Sequence, residues 1–218
     1  MKKFACIFLT GILLGAYAYA QTSNKGSMAE LIIEPGEHWQ GTMKVFVFSV
    51  KKTPQMAAWL EDENGQYIAT ITVTGRSAHN SWRSAPKEGR PEALPVWNHK
   101  YNNPSPDDID TVSTATPQGS VITAIDNKLL VDGNTYHVYF EVNHSFDYND
   151  YWTKDNSDVN GQPSLVYHAQ FIAGEPYRLP LVPIGHGSVD GSDGNIVREL
   201  GTITSALDIV KSVTIVGK

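Results

Sequence analysis

An all-β fold, an antiparallel β-sandwich interrupted by one long inserted loop, is predicted by three features of this sequence. Short runs rich in β-branched and aromatic residues alternate with period two. Gly, Pro and Asn turn signals separate those runs, as in sandwiches built from hairpins. A single stretch, residues 75–118, breaks the pattern with Pro, Asn, Ser and charge.

The fold is expected to begin near Ala29. Met43, Val45, Val47 and Ser49 alternate with Lys44, Phe46, Phe48 and Val50, and both sets are largely apolar, which predicts one central strand. Residues Ala57–Thr74 read as a hairpin: Ala57, Trp59 and Glu61 alternate with Ala58, Leu60 and Asp62. Asn64-Gly65 tolerates positive φ at the turn, and the return strand places Tyr67, Ala69, Ile71 and Val73 on one face. A second pair is expected around Asp132-Gly133-Asn134, with Leu129–Val131 leading in and Tyr136, Val138, Phe140 and Val142 sharing a face beyond it. Further strands are predicted at Ser164–Ala173, Glu199–Thr204 and Val210–Val216.

The N-terminus predicts export. Lys2 and Lys3 precede the apolar stretch Phe4–Ala16, and Ala18-Tyr19-Ala20 supplies the small-x-small pattern of signal peptidase. Cleavage before Gln21 would remove Cys6, the only cysteine, and take the formal charge from −6 to −8 through loss of the two lysines. The apolar stretch is shorter than the ~20 residues a spanning helix needs, so no membrane insertion is expected after cleavage. Cys6 precedes most of that stretch and cannot become a lipidated N-terminus. Residues 21–28 read as a flexible lead-in and 29–218 as one domain, large enough to fold without disulfides. Acidity and the lack of a Lys/Arg run exclude nucleic acid and anionic lipid as partners.

Within 75–118, Trp82 and Trp97 each carry a large apolar area that must be covered, and a short helix is expected over Glu92–Lys100. The loop is either a structural flap packed on a sheet or a binding element. Residues Asn143–Trp152 offer the same choice. Tyr148, Tyr151 and Trp152 alternate there with Asp147, Asn149 and Asp150. Such rings and polar groups stack on sugars or a flavin, or pack into a corner with their hydroxyls bonded to backbone.

Several segments carry a family resemblance: Ala58-Trp59-Leu60-Glu61-Asp62-Glu63-Asn64-Gly65 with Tyr67 and Ile68, Leu94-Pro95-Val96-Trp97, Asp110–Pro117, Glu141-Val142-Asn143, Ser145–Tyr151 and Asn160-Gly161-Gln162-Pro163-Ser164. Together they resemble the periplasmic domain-of-unknown-function family 2271 (DUF2271) over essentially all of Ala29–Lys218. The resemblance implies an immunoglobulin-like sandwich outside the cytoplasm, and an association with flavin-based redox systems that include a flavin transferase.

The segment Asp110-Thr111-Val112-Ser113-Thr114-Ala115-Thr116 is similar to the pattern at which FAD:protein FMN transferases attach FMN to a threonine. That acceptor would be Thr116. Asp110, Ser113 and Ala115 occupy the supporting positions, and Thr114 stands where Gly or Ser is usual. A small Ala avoids a clash in the transferase pocket, and covalent attachment keeps a soluble cofactor from diffusing away. The alternative is a solvated loop in which Asp110, Ser113 and Thr116 cap turns.

Seven histidines show no close ligand spacing, although His144 with Asp147, or His186 with Asp190, could meet in space. Gly187–Asn195 alternates Asp, Ser and Gly, as a Ca²⁺ loop or a flexible acidic turn would. Gly-x-Ser-x-Gly and phosphate-loop signatures are absent. Besides a Ca²⁺-stabilised structural domain, two functions remain open. One is a flavin carrier or accessory, partnered by an FMN transferase and membrane redox proteins; the other is a non-catalytic binding module for a glycan or an envelope protein.

Overall fold

The computed structural model describes residues 29–45, 48–79, 81–82, 89–101, 113–114 and 119–217. Its first sheet holds four strands, β1 (Ala29–Pro35), β7 (Val121–Ile125), β10 (Tyr177–Pro180) and β12 (Val210–Gly217), in the order β10-β12-β1-β7. The second contains β4 (Gln55–Asp62), β5 (Tyr67–Thr74), β8 (Thr135–Asn143), β9 (Leu165–Ile172) and β11 (Val182–His186), ordered β11-β9-β8-β4-β5. These pairings are antiparallel. The short strand β6 (Ser113–Thr114) extends the β5 edge in parallel.

The two sheets bury one core between them. Leu31, Ile33, Val213 and Ile215 from the first sheet meet Met56, Ala58, Leu60, Val138, Phe140, Val142, Leu165 and Phe171 from the second. Strand β8 presents Tyr136, Val138, Phe140 and Val142 inward, as its alternation predicts. The fold is therefore the expected all-β sandwich. A second buried cluster covers the opposite face of the larger sheet, where Ala57, Trp59, Val73 and Val166 pack against Leu94, Val96 and Trp97. The insertion opens with the short helix α1 (Gly75–Ala78), and those last three residues lie at and just before the start of helix α2 (Pro95–Tyr101), so this part of the insertion is a flap on the sheet.

Five local expectations are corrected. The run Met43–Val50 is not one central strand: β2 (Gly41–Val45) and β3 (Phe48–Lys52) form a separate antiparallel pair, with Val45 opposite Phe48. A continuous apolar run contains no turn residue to mark such a reversal, so periodicity cannot locate it. The Ala57–Thr74 hairpin is present, with Gly65 at φ +75°, but the return strand does not keep one face. Register shifts leave Ile71 and Ile68 as extra residues on β5, so Ile71 joins the central core while Val73 joins the outer cluster. A bulge inverts the alternation beyond it.

Leu129–Val131 forms no strand leading into Gly133: Leu129 ends a 3-10 turn, Asn127–Leu129, which Asp126 caps by accepting from the Lys128 amide at 3.0 Å. Glu199–Thr204 likewise forms no strand. The Glu199 side chain accepts from the Gly201 amide at 2.7 Å, and the Ile203 amide donates to the Leu200 carbonyl, closing a turn that local side-chain bonding favours. The expected helix over Glu92–Lys100 is divided into a 3-10 turn, Pro91–Ala93, and α2 starting at Pro95. Proline lacks a donor and disfavours helical geometry in the residue before it, so the division falls at Leu94.

Candidate functional site

Of the predicted attachment residues, Asp110, Ala115 and Thr116 lie outside the described residues, and so does the supporting Thr111-Val112 segment. Ser113 opens β6, where its backbone stands opposite Val73, with Thr114 opposite Thr74. The corner beside it is fixed by buried polar groups. Thr74 Oγ1 donates to Gln55 Oε1 at 2.8 Å, Ser77 Oγ donates to the same oxygen at 3.2 Å, and the Met56 amide donates to Thr74 Oγ1 at 3.3 Å. Thr116 follows this edge strand by two residues.

The flap is held by the buried carboxylate of Glu141, one of the residues that carry the family resemblance. Glu141 lies on the face of β8 opposite the central core and is fully buried. It accepts from Ser164 Oγ at 2.5 Å, from the Trp97 amide at 2.8 Å and from the Val96 amide at 3.2 Å. The two amides belong to the first turn of α2, which has no partners of its own inside the helix. Burial pushes the Glu141 carboxyl up to about 7, against the opposing pull of those three hydrogen bonds. The signal available in the sequence was a Glu in the same row as Tyr139 and Asn143, two residues that also face away from the central core.

Next to it lies an aromatic row. Trp59 stacks on Tyr139 with centroids 5.2 Å apart and donates from Nε1 to the buried Glu61 at 2.8 Å. Trp97 stacks on Tyr101 at 5.1 Å and donates to Thr70 at 2.9 Å. Both tryptophans are buried, so their part in the resemblance is structural packing.

At the end of β8 the motif residues tie three segments together. Asn160 accepts from Asn143 at 2.7 Å and donates to the Glu92 and Val189 carbonyls at 3.1 Å each. Gln162 donates to Asp147 at 3.0 Å and Ser205 at 2.6 Å, and accepts from the Thr204 amide at 2.6 Å. Asn160 and Gln162 are each 1 % exposed, which marks them as frame residues. The aromatic segment is in part packed and in part exposed. Tyr148 donates to the Asp158 carbonyl at 2.6 Å and Trp152 to Thr202 at 3.2 Å, whereas the Tyr151 side chain is 57 % exposed and lies edge-on to Trp152 at 4.9 Å.

His137 Nδ1 and His168 Nε2 approach to 2.9 Å on the outer face, and burial with the neighbouring His137 lowers the His168 pKa. His144 is buried with Nε2 on the Trp39 carbonyl; burial depresses its pKa and Asp147 opposes that. His186 bonds the Gly187 carbonyl. Among the described residues, no group of three or more His, Cys, Asp or Glu gathers as metal ligands would. In the Gly187–Asn195 turn, Asp190 accepts from the Ser192 amide and Asp193 from the Asn195 amide, so both carboxylates close local turns.

Sheet order, flap and buried polar frame define an all-β sandwich with one outer face covered by its own insertion. Over residues 46–151 the chain matches the model of the family described as "Predicted periplasmic protein (DUF2271)". No curated protein and no solved structure matches it. Among the described residues no helix is long and apolar enough to cross a membrane.

Proposed function

We propose that this periplasmic-family protein is exported by cleavage after Ala20 and serves a flavin-based electron-transfer system, as an accessory or as a carrier of FMN on Thr116. The supporting observation is the Asp110–Thr116 pattern, whose Ser113-Thr114 portion is an edge strand on a buttressed sheet corner. A residue two positions beyond such an edge strand is tethered to a rigid scaffold by the chain itself, as a transferase substrate and a bound cofactor both require. In the proposed step, Thr116 Oγ attacks the FMN phosphorus of FAD; the new P–O ester forms, the pyrophosphate bond breaks, and AMP departs. The threonine proton passes to the transferase. The bound isoalloxazine would then carry electrons between membrane redox proteins, its potential set by protein surroundings.

Co-expression of the full chain with an exported FMN transferase is expected to add the mass of one FMN moiety, and Thr116→Ala to abolish the addition. An unmodified wild-type mass beside a positive control substrate would refute the carrier. Deleting residues 1–20 is expected to give folded protein without flavin.

A second reading, a glycan-binding module, draws on the exposed Tyr151 ring above the hydrogen-bonded corner. Here Tyr151→Ala is expected to abolish glycan-array binding while leaving the melting temperature within about 2 °C, since exposed substitutions cost little. Wild-type protein that binds no glycan would dismiss this reading.

A further inference from the structure

Two cations meet at Ser145, just beyond β8. Lys52 Nζ donates to the Ser145 carbonyl, and Arg90 Nη1 donates to Ser145 Oγ at 2.5 Å. One residue's width and two hydrogen bonds therefore separate the ammonium from the guanidinium. The Arg90 side chain is only 10 % exposed; its Nε is paired with Glu92 at 2.6 Å, while Nη2 is buried without a hydrogen-bond partner among the described residues. His144 Nδ1 is a second buried nitrogen without one. It adjoins Lys52: a methyl group added at Gly41 would meet His144 Cε1 at 3.2 Å and Lys52 Cε at 3.3 Å.

Acidic compensation nearby is already engaged. Asp147 accepts from Gln162 and from Ser205, and Glu92 serves Arg90 Nε. Burial lowers the Lys52 pKa, and Asp147 opposes that shift. Both heads are braced over rings, Lys52 over Phe146 at 5.6 Å and Arg90 over Trp82 at 5.0 Å. An unpaired buried donor on a guanidinium costs more than one on a neutral group, and the fork geometry of Arg matches two oxygens of one anion.

We propose that Lys52, Arg90 and Ser145 form a binding site for a small oxyanion, a phosphate monoester or a carboxylate, where the β2–β3 pair, the insertion and the β8–β9 connection meet. The site is independent of flavin attachment at Thr116. Its ligand enters beside the half-buried Lys52 and completes the Arg90 Nη2 donor. Adjacent His144 contributes a polar wall.

Thermal melts and calorimetry of the full chain with inorganic phosphate and with benzoate, at constant ionic strength balanced by chloride, test this directly. Saturable stabilisation by at least one probe is expected, weakened at least tenfold in Lys52→Met and in Arg90→Gln. Response to phosphate alone assigns a phosphate ligand, and response to benzoate alone a carboxylate. Absence of saturable binding by both probes in the wild type overturns the proposal, as does affinity unchanged in Lys52→Met, which keeps the side-chain stem and the Arg90–Ser145 bond. Should Arg90→Gln fail to fold, the wild-type and Lys52→Met titrations decide.

Discussion

Glu141→Ala is expected to lower stability by about 4 kcal/mol at pH 5, because it opens a cavity and leaves three buried donors unanswered. Those donors are Ser164 Oγ and the Val96 and Trp97 amides, so the loss falls on the junction between the flap and the larger sheet. The cost should depend on pH. The Glu141 carboxyl moves from 4.5 to about 7 on folding, so the folded chain holds this proton more tightly than the unfolded one. Its contribution is complete below about 4.5 and is lost as pH rises to about 7, an effect of about 3 kcal/mol. Glu141→Gln, which cannot ionise, should therefore gain about 3 kcal/mol relative to wild type between pH 4 and pH 8. Denaturant titrations of the two proteins across that range check it; parallel stability curves would contradict a buried, proton-holding Glu141.

Gly161→Ala is expected to be as damaging, for a steric reason. Gly161 has φ +76°, and a Cβ there would lie 2.5 Å from the Asp147 amide nitrogen, 2.6 Å from its carbonyl carbon and 2.7 Å from its oxygen. None of these backbone atoms can yield without breaking the Asp147↔Gly161 bridge and the 2.8 Å bond from the Gln162 amide to the Asp147 carbonyl. Left-handed geometry and overpacking together cost about 4 kcal/mol. Gly133 is the control: its φ is +83°, but a Cβ meets nothing within 4 Å. Gly133→Ala should cost about 1 kcal/mol, through backbone conformation alone. In melting temperature the two differ by roughly 10 °C, and equal shifts would show that close approach at Gly161 is unimportant.

Both sites lie within segments whose residues carried the family resemblance, and both turn out to be frame. Asn160, Gly161, Gln162 and Glu141 attracted attention as motif residues, and their burial assigns them to joining the sheets, the flap and the C-terminal loops. The groups proposed to meet a ligand are different. Lys52 and Arg90 belong to no motif, stand far apart in the chain and become neighbours only through Ser145. The Thr116 pattern remains a proposal from sequence, anchored in the fold through β6 alone.

Features that depend on neighbours along the chain were legible in the sequence. Period-two alternation in Tyr136–Val142 and the β-branched-rich run Val210–Val216 each name a strand, because a pleat shows successive side chains to opposite faces, and the Asn64-Gly65 turn names a hairpin. The rest depends on contacts between distant segments. The reversal between Val45 and Phe48, the bulges at Ile68 and Ile71, and the split before Pro95 follow from pairing partners and covered faces that local pattern does not encode. The proton on Glu141 and the unpaired donor of Arg90 depend on burial, since a charge or a donor acquires its energetic meaning only when packing removes water from around it.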